Sequence, residues 1–246
     1  MHMALAERLL ADPVLPRAVH DFLAENWGPF LLGSIAPDAR VSSGLDRVST
    51  HFFEYLPKIE PPAVSAMLSK HSELRRKQVN DAACAAFIAG YLAHLAMDQV
   101  WCTDLLFPNF FYSEWADNST KLLVLHVLLS YLDRRDRQLL PDSHYNLLST
   151  ASPNGWLPFI DDDALVVWRD TIASQLAPDA QSLTIDILAK RVKMAAADLA
   201  AIVDNEARMD ELAWHNVPPD KVAVVEQTMY NACRDTVIAY LSDAST

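Results

Sequence analysis

GYLAHLAMDQVW, Gly90 to Trp101, places a histidine and an aspartate four residues apart inside an apolar, helix-prone run. On a helix, residues four apart lie one above the other, so His94 and Asp98 point at a common spot. The surrounding Ala83, Ala86, Phe87, Tyr91, Leu92, Leu95 and Met97 predict a helix buried on more than one side. A buried aspartate is costly unless it is paired, hydrogen-bonded or bound to a metal. Two readings are open for the pair: a His–Asp hydrogen bond within a core, or half of a metal site. Two ligands are too few to specify an ion, so the other histidines must decide.

Outward from this run, apolar periodicity predicts helices at about 3–11, 16–26, 61–76, 79–106, 117–139, 160–176, 182–212 and 218–242. Stops fall at Asp12-Pro13, Pro37-Asp38, Pro61-Pro62, Pro153-Asn154-Gly155, Pro178-Asp179 and Pro218-Pro219. Five glycines and 14 prolines, the latter mostly between periodic segments, are the punctuation of a helical protein rather than of a sheet protein. No repeat or linker composition divides the chain. The expectation is one all-α, multi-helix domain over 1–246, with a metal-site core in 1–140 and a helical cover in 141–246. Residues 141–160 read as a long connection.

A hydrophobic share of 51% provides material for a continuous core. The net charge of −12 argues against a nucleic-acid surface built on basic patches and against a polybasic membrane anchor. Cys84, Cys102 and Cys233 lack the spacing of a zinc ribbon or redox motif and read as free thiols in a reducing compartment. MHMALAERLL begins directly with an amphipathic pattern rather than a signal peptide, and no apolar stretch reads as a membrane span of roughly 18 residues. A soluble, cytoplasmic protein is expected. Oligomeric state carries no sequence signal.

Of the eight histidines, His2, His51, His94 and His126 sit where a loop or helix start meets an apolar segment, and Asp38 and Asp98 join them. Neutral imidazole and carboxylate suit zinc or a similar first-row divalent ion, which needs three or four such ligands and an open position for water. Asp38, fixed by the Pro37 stop, is placed either to project into a cleft or to cap a turn. FPNFFYSEW, Phe107 to Trp115, packs five aromatics into nine residues, as a core plug or as an apolar lip for a substrate's acyl or aromatic group.

From the start through about residue 133, the sequence resembles the zinc-dependent phospholipase C family, which is related to the single-strand-specific zinc nucleases. The matching elements, in order, are His2 before an amphipathic helix, Gly33-Ser34-Ile35-Ala36-Pro37-Asp38, Thr50-His51, the Gly90-Tyr91-Leu92-Ala93-His94-x-x-x-Asp98 helix and a later helical His126. The resemblance implies an all-helical fold with a metal cleft in which a metal-activated water attacks a phosphodiester. It implies that His51, His94 and Asp98 hold one metal, with Asp38 as a further ligand or as the catalytic base. By the same resemblance His2 holds a second metal sharing Asp98, and His126 belongs to a third site.

The chain also departs from that pattern. Met1 stands before His2 where secreted members use an N-terminal Trp, Trp101-Cys102-Thr103-Asp104 follows where another His is expected, and Ser130 replaces a Glu. One or two ions are therefore expected rather than three, with Asp133 or Asp104 as substitute ligands. Asp133 has a second reading as an ion-pair partner of Arg134 or Arg137. His20-Asp21 forms a lone HD pair without the further spacings of the HD-type phosphohydrolases, and His71, His144 and His215 read as surface residues. The expected function is metal-dependent hydrolysis of a small-molecule or lipid phosphodiester. The alternatives are a helical metal-binding protein without hydrolysis and a biosynthetic enzyme whose metal is a Lewis acid toward a carbonyl.

Overall fold

A carboxylate starts the helix that organises the chain. In the computed structural model, which describes residues 1–56, 58–177, 180 and 183–243, Asp81 accepts hydrogen bonds from the backbone N–H groups of Ala83 and Cys84 at 2.8 and 3.3 Å. The helix Ala82–Val100 follows, and Phe87, Ile88, Tyr91, Leu92, Leu95 and Met97 on it are fully buried. It continues through wider, π-type turns over Trp101–Phe111, with Pro108 inside them. Among the described residues Ala82–Phe111 is the one helix long and apolar enough to cross a membrane, yet 72% of its apolar 18-residue window is buried inside the fold. Its apolar character is that of a core helix.

Two helices pack extensively along this central one. The first is Trp27–Ile35, where Gly33 meets the Phe87 carbonyl and Gly90 meets the Phe30 carbonyl. A Cβ at either glycine would collide with the opposite backbone, so the crossing requires glycine on both sides. The second is the terminal helix Pro219–Ser242, which buries Val222, Val225, Met229, Cys233, Val237 and Tyr240 at spacings of three to four. The short N-terminal helix His2–Glu7 lies against Trp27–Ile35 and touches both long helices. Asn118–Arg137, capped by Asp117, carries the short helices Thr184–Arg191 and Ala196–Val203.

The described residues contain no strand, and the all-α class expected from sequence is what the chain adopts. Three local features differ from or add to the expected helices. Trp27–Ile35 is a helix outside the expected spans: Pro29 lies in its first turn, where a missing N–H costs little. Residues 141–160 contain the helix Ser143–Thr150. The span 182–212 is broken near Lys193, whose φ of 55° is left-handed, and again at Asn205, which caps Arg208. The Pro178-Asp179 stop lies outside the described residues. Within 141–246, Asp162–Leu176 does cover the turn that carries Asp38, with Trp168 Nε1 donating to the Ile35 carbonyl at 2.9 Å. The terminal helix, by contrast, is part of the core.

Gly33→Ala and Gly90→Ala should each lower unfolding stability by about 1–3 kcal/mol or more, because two backbones must separate to admit one methyl group. Urea unfolding followed by circular dichroism measures this, and unchanged midpoints would refute the close crossing.

Candidate metal centre

The glycine crossing sets the first element of the site. It brings the end of Trp27–Ile35 beside His94, whose Nδ1–H donates to the Ser34 carbonyl at 2.8 Å. A carbonyl can only accept, so the proton resides on Nδ1 and Nε2 keeps its lone pair. One 3₁₀ turn, Ala36–Ala39, continues from that helix and carries Asp38. The His2 ring stacks on the His94 ring with centroids 3.9 Å apart and planes 20° from parallel. Ligating atoms of His2, Asp38 and His94 all lie within 4.8 Å of one another.

His51 arrives from another segment. Asp46 caps the helix Arg47–His51 by accepting from Ser49 N–H at 2.8 Å, and Phe52, at φ 61°, ends it. The Thr50 hydroxyl lies 3.3 Å from the Arg47 carbonyl and can donate to it, which leaves a lone pair for His51 Nδ1–H at 2.9 Å. Tyr91 O–H donates to the Thr50 carbonyl at 2.6 Å and pins the same turn to the central helix. His51 Nε2 then faces Asp38 Oδ1 at 3.6 Å and Asp98 Oδ2 at 4.0 Å.

The Nε2 atoms of His2, His51 and His94 are all buried and lack a hydrogen-bond partner. Burial, first, and the neighbouring histidine charge hold the His2 imidazole well below its ordinary pKa. Burial likewise lowers His94, against the pull of Asp38. Both rings are therefore neutral near pH 7, the form that binds a metal. Imidazole nitrogens, those of His94 and His51 oriented through Nδ1, and a carboxylate within reach make a donor set that fits zinc. Asp38, with 41% of its side chain exposed, is the member open to solvent. It shares a cavity of about 270 Å³ with His2, His94, Arg137 and Trp168, and a second of about 260 Å³ lies between His2, Asp98 and Trp101.

The sequence reading grouped these residues differently. His2, assigned there to a second ion with Asp98, stands with Asp38 and His94. Asp98 is held by the Arg47 guanidinium, a partner the sequence reading missed although Arg47 precedes His51 by four residues, one helical turn. His126 lies outside the group: its Nδ1–H donates to the Leu122 carbonyl at 2.7 Å and it feels the charge of Arg191. Ser130 donates to the His126 carbonyl at 2.8 Å. Asp104 is exposed and accepts from Thr103, whereas Asp133 lines both cavities. His20 and Asp21 pair at 3.0 Å on the surface. His144, expected at the surface, is buried 2.9 Å from Glu7, and His71 packs on Phe159.

The aromatic segment divides between its two readings. Phe107 and Phe110 are core residues, while Phe111 and Tyr112 are exposed, with Tyr55 packed against Phe107 and Phe111. All three cysteines are free, and Cys102 and Cys233 are buried.

Residues 1–101 match the family model described as zinc dependent phospholipase C. The match covers His2, Asp38, His51, His94 and Asp98, and it ends before His126. The motif order identified the same family. The family so described is zinc-dependent, and the matched stretch is somewhat less than half of the chain. No curated protein and no solved structure matches the chain.

The geometry separates two histidines experimentally. His2→Ala should lower zinc content per chain, while His126→Ala should leave it unchanged, as read by inductively coupled plasma mass spectrometry after dialysis. Equal loss in both variants would contradict this grouping.

Proposed function

We propose that the protein is a metal-dependent phosphodiester hydrolase in which His2, Asp38 and His94 hold a zinc ion, with His51 beside them. The observation that supports this most is the gathering of buried, unpartnered imidazole Nε2 atoms around the Asp38 carboxylate. A buried polar atom left unsatisfied costs about 1–3 kcal/mol, and bound metal removes that cost. Zinc there would supply a Lewis acid that polarises a phosphoryl oxygen and lowers the pKa of a water toward about 7.

The remaining work falls to the chain's own side chains. The Ser34 carbonyl and the Thr50 hydroxyl hold the His94 and His51 rings, so neither must reorient during turnover. Asp38 stands at the cavity mouth, where its carboxylate can take or orient a proton of the attacking water. Arg137, tied by one nitrogen to the Ala180 carbonyl at 2.6 Å, presents a cation to the same cavity. A guanidinium suits a phosphate oxygen. Ile35, Trp168, Ile172 and Leu176 offer an apolar wall for an acyl or aromatic substituent, which favours a lipid or aryl phosphodiester.

Asp38→Asn keeps the size and one oxygen but loses charge and basicity. As a base, Asp38 when replaced should leave zinc in place while hydrolysis of bis(p-nitrophenyl) phosphate falls roughly 10²–10⁴-fold; as a ligand, its replacement should remove zinc and activity together. A variant that retains both would remove Asp38 from the mechanism. Zinc bound by the wild type with no hydrolysis would favour the non-hydrolytic alternative.

A further inference from the structure

Asp98 is the residue of the cluster with the most unusual company. The Arg47 guanidinium bonds it, and both side chains are largely buried, at 16% and 15% exposure. Arg47 cannot swing away freely: its guanidinium lies 4.9 Å from the Phe53 ring centroid and 4.6 Å from that of Tyr55, stacked against both. The same short helix presents His51 Nε2 4.0 Å from the same Asp98 oxygen. Arg47 Nε is itself buried without a partner, so the guanidinium retains a donor beyond the one given to Asp98.

We infer that the Arg47 guanidinium takes the position of a second cation at Asp98, restricting the centre to one zinc ion and leaving Asp98 out of its ligand set. The inference rests on the proposed zinc site at His2, Asp38 and His94. A guanidinium is charged at every accessible pH, so it neutralises Asp98 permanently and repels a divalent ion from that carboxylate. A second ion between His2 and Asp98, on the side of the cavity that Trp101 lines, would have to displace a side chain clamped by two aromatic rings.

The test is zinc stoichiometry, with no dependence on turnover. Chelator-stripped protein is titrated with zinc, desalted and analysed for metal, alongside Arg47→Met, Arg47→Lys and Asp98→Asn, with circular dichroism verifying helix content. Methionine keeps an apolar chain against Phe53 and Tyr55 but removes the charge. One zinc per chain in the wild type, Arg47→Lys and Asp98→Asn, rising to two in Arg47→Met, is the expected result. Two zinc ions in the wild type, loss of zinc in Asp98→Asn, or one zinc in a folded Arg47→Met would overturn the inference while the zinc site itself stands. No zinc in the wild type would overturn both. Should Arg47→Met fail to fold, Asp98→Asn decides, because a ligand aspartate and a sequestered one differ in whether zinc is retained.

Discussion

The site depends on the absence of two methyl groups. Gly33 and Gly90 let the Trp27–Ile35 helix and the central helix approach until backbone touches backbone, and a side chain at either position would hold them apart. At the actual separation the Ser34 carbonyl lies 2.8 Å from His94 Nδ1, and the next turn carries Asp38 to the imidazoles. A hydrogen bond of this kind tolerates a few tenths of an ångström and no more. The packing of the core and the protonation of His94 are therefore set by one contact, and loosening the crossing would disorder the ligand as well as weaken the fold.

The polar cluster would make little sense as a device for stability. Buried imidazole nitrogens without partners detract from folding, and the chain has many ways to fill such space with leucine. What the arrangement achieves is neutrality and aim. Burial keeps His2 and His94 uncharged, and a carbonyl partner on Nδ1 directs the His94 lone pair. His144 makes a contrast: it too is buried, and burial lowers its pKa, but its Nε2 faces a single carboxylate, Glu7 on the N-terminal helix, at 2.9 Å.

The long elements with clean periodicity were legible in the sequence. The central helix, Asn118–Arg137 and the terminal helix all lie close to their expected bounds, and the all-α class follows from them. Trp27–Ile35 was hidden because local propensity counts Gly28, Pro29 and Gly33 against a helix, whereas tertiary contact requires one of those glycines. The break near Lys193 was hidden for the opposite reason, since nothing in that residue's type announces a left-handed backbone. In the site, residue types and motif order singled out His2, Asp38, His51, His94 and Asp98 as candidates, but not their grouping. Arg47 was missed because attention to ligand chemistry passes over cations, although its four-residue spacing from His51 was a readable signal.

That spacing also explains what the neighbouring His94 and Asp98 are doing on one helical face. Four residues advance an α-helix by about 6 Å, enough for two side chains in register to serve different partners along the axis. His94, nearer the glycine crossing, is drawn to the Ser34 carbonyl and stacks with His2. Asp98, a turn further on, meets the Arg47–His51 helix, which supplies Arg47 to it and places His51 between the two carboxylates. Because Arg47 and His51 are themselves one turn apart, two helical faces meet and each pairs a histidine with a charged residue. The histidines turn toward Asp38 and the opposite charges of Arg47 and Asp98 turn toward each other, so the core closes with its fixed charges matched and its imidazole nitrogens directed at Asp38.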